Sequence, residues 1–351
     1  MADESGHPFL RRLTPVVGEV IAPAAVRVDR DEVPAGHFTA LGGHTDLLRV
    51  GIASRWGGTE LPVEVEQRAW ALLAAACPST HLIAQQHSAP ARWLHPDSAA
   101  AAELLPRLAA GELVGAAAFG HVRNWPRRRD VTATRVRGGW RFDGVAPWLS
   151  GWGLASLLAV AAVEPERERV VQAVVDIPAR SLTALPLQLS AIAGSRTVAA
   201  RFDGLEVPDS RVTHLIDLAD WLDRDGAGVP AIDPAVLGVA AAAIGYARDR
   251  HPDDPNLPEI AAEIDRLWEV ARAAAPAPNT ELHDGRSRLY WRTTATALAV
   301  RATQAAIVAA GGSGLRADHI TQVWARAALF YQVRGVNSAM RAEHFARLAG
   351  K

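Results

Sequence analysis

The sequence predicts an α+β protein in three successive parts: a helical first third, a β-rich middle and a closing four-helix bundle. Three observations carry this. Apolar residues recur at helical spacing before residue 112, short β-branched runs broken by Gly and Pro begin near Val114, and long alanine-rich segments return at Pro234. The expected divisions are an N-terminal helical domain over 1–112, a β domain over 113–215 and a C-terminal helical bundle over 216–351. At 351 residues the chain exceeds the size at which a single core keeps growing, so more than one domain is expected.

The first clear helix is "PVEVEQRAWALLAAAC", Pro62 to Cys77. Val65, Ala69, Leu72 and Leu73 share a face, Glu64 and Glu66 lie near the start, and Pro78 stops it. "STHLIAQQHSAPARWL" predicts a second helix. "DSAAAAELLPRLAAGE" predicts a third, capped by Asp97 or Ser98 and ended by Gly111. "DVTATRVRGGWRFDGVAPWL" then alternates as a hairpin around Gly138-Gly139. "SLLAVAAV", "RVVQAVVDI" and "TVAARFDGLEVP" follow as strands. Their loose alternation predicts that several are buried on both faces. A polar linker is expected over Asp223–Pro230. Helices are expected at Pro234–Arg250, Leu257–Ala275, Arg286–Ala310 and His319–Arg347, broken by "HPDDPNLP" and "APAPNTELHDG".

Charge and composition exclude several function classes. Lys and Arg number 37 against 38 Asp and Glu, a net charge of −1, which favours neither nucleic acid nor an anionic membrane. The one cysteine, Cys77, cannot form an internal disulfide, which fits a reducing, cytoplasmic setting; its apolar context predicts a buried inert thiol. The start, "MADESGHPFLRRL", lacks the apolar centre of a signal peptide, and no apolar run reaches membrane-helix length. No His/Cys spacing suggests a metal site.

Three stretches are candidates for chemistry. "GGWRFDGVAPWLSGWGLA" gathers Trp140, Trp148 and Trp152 among small residues, either to fill a core or to receive a flat ligand. Gly311-Gly312-Ser313-Gly314 is either a helix C-cap or a turn that exposes N–H groups to a ligand. Arg123, Arg127, Arg128 and Arg129 surround Trp125. That cluster suits a phosphate, is the minimal footprint for nucleic acid, or is a solvated loop.

The order of segments, from about Arg55 to the C-terminus, resembles the acyl-CoA dehydrogenase family of flavoproteins. Four stretches carry the resemblance: "LLPRLAAGELVGAAAF" (Leu104–Phe119), the tryptophan-rich stretch, "AGSRTVAARFDGLEVPDSRV" (Ala193–Val212) and "QAAIVAAGGSGLRADHITQVWARAALFYQVRG" (Gln304–Gly335). The resemblance implies FAD as cofactor, an acyl-CoA or acyl-carrier thioester as substrate, an electron-transfer partner, and a homo-oligomer (dimer or tetramer) or a heteromer with a homologue. By position Trp148-Leu149-Ser150 matches the family's Trp-Ile-Thr, implying that Trp148 lies against the isoalloxazine and Ser150 bonds near flavin N5. It also implies that Gly311, Gly312, Ser313 and Gly314 contact the dinucleotide of a neighbouring subunit, and that Arg250 reaches a pyrophosphate.

The departures concern catalysis. The family's flavin-contacting Thr-Glu-Pro falls near Gly120-His121-Val122, and the threonine is absent. The family's usual catalytic glutamate, which takes the Cα proton while hydride leaves Cβ, precedes Gly-Thr. Here Arg334 precedes Gly335 and Val336, and arginine stays protonated. Family branches with the glutamate on an earlier helix leave Asp233 as the candidate base, at a position that also predicts a helix cap. Three functions follow: an acyl-CoA dehydrogenase-like oxidoreductase, a flavin-dependent monooxygenase that needs no carboxylate base, with His87 and His121 either lining its pocket or serving the structure, or a non-catalytic subunit completing a base-bearing homologue.

Overall fold

The computed structural model describes residues 6–177, 180–227, 232–273 and 285–350. Seven α-helices come first: α1 Pro8–Val16, α2 Ala25–Arg30, α3 Ala35–Thr45, α4 Val63–Ala76, α5 Pro78–Gln86, α6 Ala89–Trp93 and α7 Ala99–Ala109. The strands are β1 Gly115–Ala118, β2 Val131–Val136, β3 Gly139–Leu149, β4 Leu157–Glu164, β5 Arg169–Asp176, β6 Leu182–Pro186, β7 Val198–Pro208 and β8 Val212–Asp217. Six helices follow: α8 Leu218–Ala227, α9 Pro234–Arg250, α10 Leu257–Ala273, α11 Gly285–Ala310, α12 Ile320–Val333 and α13 Ser338–Leu348.

Three local differences from the sequence reading have physical causes. The second predicted helix is two, because the chain turns at His87–Ser88 and Pro90 restarts it as α6. The start of the expected polar linker is helical, because it continues a helix begun before it: Leu218 and Trp221 lie one turn apart and bury against Val122, Trp125 and Val163. Residues 228–230 of that linker lie outside the described residues, as does the "APAPNTELHDG" break apart from Gly285. The last predicted helix is broken at Gly335, whose φ of +66° only glycine adopts readily. For α7, Ser98 is the cap, accepting from the Ala101 N–H at 3.1 Å.

The sheet runs β6-β7-β3-β2-β4-β5-β8, with β1 beside β4 in parallel and most other pairs antiparallel. The β2–β3 hairpin closes one residue earlier than expected: Val136 pairs with Gly139, so Arg137-Gly138 form the turn and Gly138 takes φ +80°. Strand β4 is buried throughout, as its continuous apolar run predicts. Leu158, Val160 and Ala162 face a core containing Phe142 and Phe202. Leu157 and Ala159 turn to α7, and Ala161 and Val163 to α8.

The closing bundle packs α9, α10, α11 and α12 around alanines, with Trp268 and Tyr331 filling the remainder. It is fastened to the N-terminal helices by the Trp324 indole, which donates to the Ala75 carbonyl at 2.9 Å, and by a buried Arg326–Asp29 ion pair. Cys77 is buried, and burial pushes its thiol pKa up, as an inert thiol requires. Among the described residues, no helix is long and apolar enough to cross a membrane.

Candidate functional site

The end of β3 separates the three tryptophans. Trp140 is buried and Trp152 packs partly buried against the sheet core, whereas Trp148 is 60% exposed. The cause is a register shift in the β3–β7 ladder between Ala146 and Leu149. Pro147 cannot donate to the ladder, and an irregularity there re-aims the next side chain outward. Beyond it Ser150, Thr197 and Ser195 form a chain of hydroxyls, at 2.8 Å and 2.7 Å. Three hydroxyls hold three donors and the two contacts use two, so one O–H remains for a ligand acceptor. The turn is tight: Gly151 takes φ +80°, and a Cβ there would lie 2.9 Å from Ile83 of α5.

Helix α5 lies between this turn and a second cluster. Ile83 meets the turn, while Gln85, two positions on and on the other side of the helix, accepts from the Arg334 guanidinium. Arg334 also donates to Asp233 Oδ2 at 2.8 Å, and its own carbonyl accepts from Arg292 at 2.8 Å. Asp233 Oδ1 accepts from the Ala235 N–H at 3.0 Å, so the same carboxylate caps α9. Burial pushes the Asp233 pKa up. Arg334, with Arg292 and the Ala235 N–H, outweighs burial and holds it below the usual carboxylate value. A carboxylate held ionised by a salt bridge is a poor proton acceptor. The two candidates at the family's base positions, Asp233 and Arg334, thus neutralise each other.

The remaining candidates stand at the other end of the bundle. Arg250 ends α9, 17 residues from Asp233, and its guanidinium lies 3.7 Å from the Tyr246 ring centroid. Seventeen residues of helix span about 25 Å. The ends of α9 and α11 are side by side, since His251 Nε2 bonds the Ala309 carbonyl at 3.2 Å. Gly311 terminates α11 at φ +60°, and Ser313 Oγ donates to the Ala310 carbonyl at 2.7 Å. Gly311, Gly312 and Ser313 are exposed and Gly314 is buried. Within one chain, then, Arg250 and the Gly311–Gly314 turn share an end, and Asp233 and Arg334 hold the other.

The loop after β1 divides its arginines: Arg127 is exposed, and the other three have partners. Arg123 makes a bidentate pair with Asp225 of α8 at 2.6 and 2.7 Å, Arg128 pairs with Asp130, and Arg129 lies over the Trp125 ring. His121 donates through Nε2 to the Ala161 carbonyl at 2.8 Å, and His87 bonds Leu108 and Gly115. Both histidines hold backbone groups, which favours the structural alternative over the pocket one. Among the described residues no cluster of ligands suits a metal. Gln85, His81, Arg292 and Tyr331 escaped the sequence reading. They belong to no motif, and the one available signal is that Tyr331 stands three residues before Arg334 on the same helical face.

No family model and no curated protein sequence matches the chain. Solved structures do. Butyryl-CoA dehydrogenase from Megasphaera elsdenii aligns at a TM-score of 0.79 and 16% identity, over 99% of this chain and 99% of that one. A glutaryl-coenzyme A dehydrogenase in complex with glutaryl-CoA aligns at 0.82 and 14%, over 97% and 94%. FMN-bound TdsC from Paenibacillus sp. A11-2 aligns at 0.81 and 17%, over 97% and 96%. Over nearly its whole length, this chain has the acyl-CoA dehydrogenase fold.

Proposed function

We propose that this chain is a flavin-dependent oxidoreductase, with FAD as its cofactor, that works without a side-chain carboxylate base in the manner of a monooxygenase. The observation that carries this is the Arg334–Asp233 pair. Taking the Cα proton of an acyl thioester needs a free carboxylate, and the one at hand is buried, ionised and bonded on both oxygens. This argues against the dehydrogenase reading. The residues at the sheet edge fit a flavin ring: Trp148 offers a bare aromatic face that would exclude water, and the Ser150–Thr197–Ser195 chain offers one O–H to a ring nitrogen. The FMN bound in the TdsC structure supports a flavin as the cofactor. When bound, flavin supplies two-electron chemistry and, once reduced, activation of dioxygen. Arg250 and the Gly311–Gly314 turn then serve the dinucleotide of a neighbouring subunit.

The test is optical. Purified protein should show oxidised-flavin absorbance, and Trp148→Ala should lower flavin content and shift the spectrum. Anaerobic butyryl-CoA should leave the absorbance unbleached. Rapid bleaching by butyryl-CoA would return the chain to the dehydrogenases, and Trp148→Ala with unchanged flavin would return that ring to packing. A second reading, a subunit that completes a base-bearing homologue, draws on an apolar outer surface: Leu329, Val333, Phe345 and Leu348 are all exposed on α12 and α13.

A further inference from the structure

The crevice between α9, α11 and α12 is lined by Asp233, Val236, Arg292, Ala295, Tyr331 and Arg334, with Thr296 behind them. Its hydrogen-bonding groups are unequally used. Both Asp233 oxygens are occupied, by the Ala235 N–H and by Arg334. Thr296 donates back to its own helix. Arginine has five N–H donors, and among the described residues two bonds engage the Arg334 side chain, to Asp233 and Gln85. Tyr331 is 2% exposed, and its hydroxyl has no partner among the described residues. Burial and the nearby Asp233 charge push the phenol pKa up, so the group remains a donor. The unused groups here are donors, and a hydrocarbon acyl chain would meet none of them. A buried donor left unmet is destabilising, so an acceptor that met it would be held.

We infer that this crevice takes an anionic ligand, a carboxylate or phosphate group whose oxygens accept from Tyr331 Oη and the Arg334 guanidinium. This deepens the proposed function by naming a substrate class, and it rests on that placement of the site. As it stands, the crevice is too narrow for a water molecule, so entry requires Arg334 to turn outward. It is placed to do so. It ends α12, Gly335 follows at φ +66°, and its side chain is 23% exposed. The incoming anion replaces Asp233 as the partner of Arg334.

The experiment is titration of the purified chain with butyrate, inorganic phosphate and the uncharged isostere butyramide, at one ionic strength fixed with sodium chloride. Calorimetry and the thermal midpoint are read together. One or both anions should bind saturably and raise the midpoint, while butyramide does neither. Butyrate alone identifies a carboxylate ligand, and inorganic phosphate alone a phosphate group. Tyr331→Phe, which keeps the ring, should weaken binding about tenfold or more, as for a lost hydrogen bond to a charged group. Asp233→Asn, which removes the competing charge and keeps a capping side chain, should tighten it. Arg334→Gln should abolish it, with circular dichroism confirming the fold. Absence of saturable anion binding, equal binding of butyramide, or binding unmoved by Tyr331→Phe would overturn the inference. Flavin absorbance is recorded on the same samples. Anion binding without flavin ends the flavin reading and leaves this one standing; flavin without anion binding does the reverse.

Discussion

The buried histidines show how one side chain's environment decides between structure and chemistry. His87 is fixed as a single neutral tautomer: Nε2–H donates to the Leu108 carbonyl and Nδ1 accepts from the Gly115 N–H. A proton on Nδ1 would set donor against donor. Burial lowers the pKa of His87 and of His121 to about 4, and that of His81 to about 3. The unfolded value is near 6.5, so the folded state binds protons less readily. Its advantage is complete above about pH 6.5 and is lost as pH falls toward 4, at about 2 kcal/mol per histidine by pH 5. The midpoint of urea unfolding should therefore drop steeply between pH 7 and pH 5. A flat midpoint would mean that these imidazoles are not buried and neutral. The sequence left His87 and His121 between pocket and structure, because the carbonyls that hold them lie 21 and 40 residues away. Arg334 was legible only as a departure from a motif. Its bond to Asp233 spans 101 residues, and no local pattern records it.

Elements were legible where capping, composition and burial agree. Helix α9 spans Pro234–Arg250 as read, because Asp233 caps it, Pro234 suits its first turn and alanine carries it onward. Helix α8 was missed because a few apolar residues in a polar run bury only through contacts supplied by the sheet. Adjacent glycines left the hairpin turn uncertain by one residue, and pairing register decided it. What the sequence does not show is how closely elements approach. At Gly238 of α9 a Cβ would lie 2.3 Å from the Ala71 carbonyl oxygen of α4, so backbone meets backbone there. At Gly245 of the same helix nothing lies within 4 Å. Gly238→Ala should therefore destabilise by about 1–3 kcal/mol or more through overpacking. Gly245→Ala should be neutral or stabilising by up to about 1 kcal/mol through helix propensity. Thermal unfolding of the pair separates the two effects, and equal midpoints would refute the α4–α9 contact.

At the scale of the whole molecule, exposed apolar side chains gather late in the chain. Val308, Leu315, Leu329, Val333, Phe345 and Leu348 are 57–80% exposed, and all belong to the last stretch of chain from α11 to α13. Helix α12 has one charged residue, Arg326, and it is engaged by Asp29. Exposed apolar side chains of this kind are what an interface between chains would bury. It also bears on the cofactor. The Gly311–Gly314 turn and Arg250 lie about 25 Å along α9 from Asp233, too far to serve one flavin ring beside it, whereas a second copy can bring that turn to its neighbour's dinucleotide. If so, assembly and flavin retention are linked, because a ligand shared by two chains stabilises their association. Wild-type protein should sediment as a dimer or larger, and Leu329→Glu combined with Val333→Glu should give folded monomer. The same double variant should lose flavin, although neither residue lies near Trp148 in sequence. Monomer that keeps its full flavin content would break the link and confine the cofactor to a single chain. Wild-type monomer that assembles only with a base-bearing homologue would assign the apolar surface to that partner, and the chain to the non-catalytic reading.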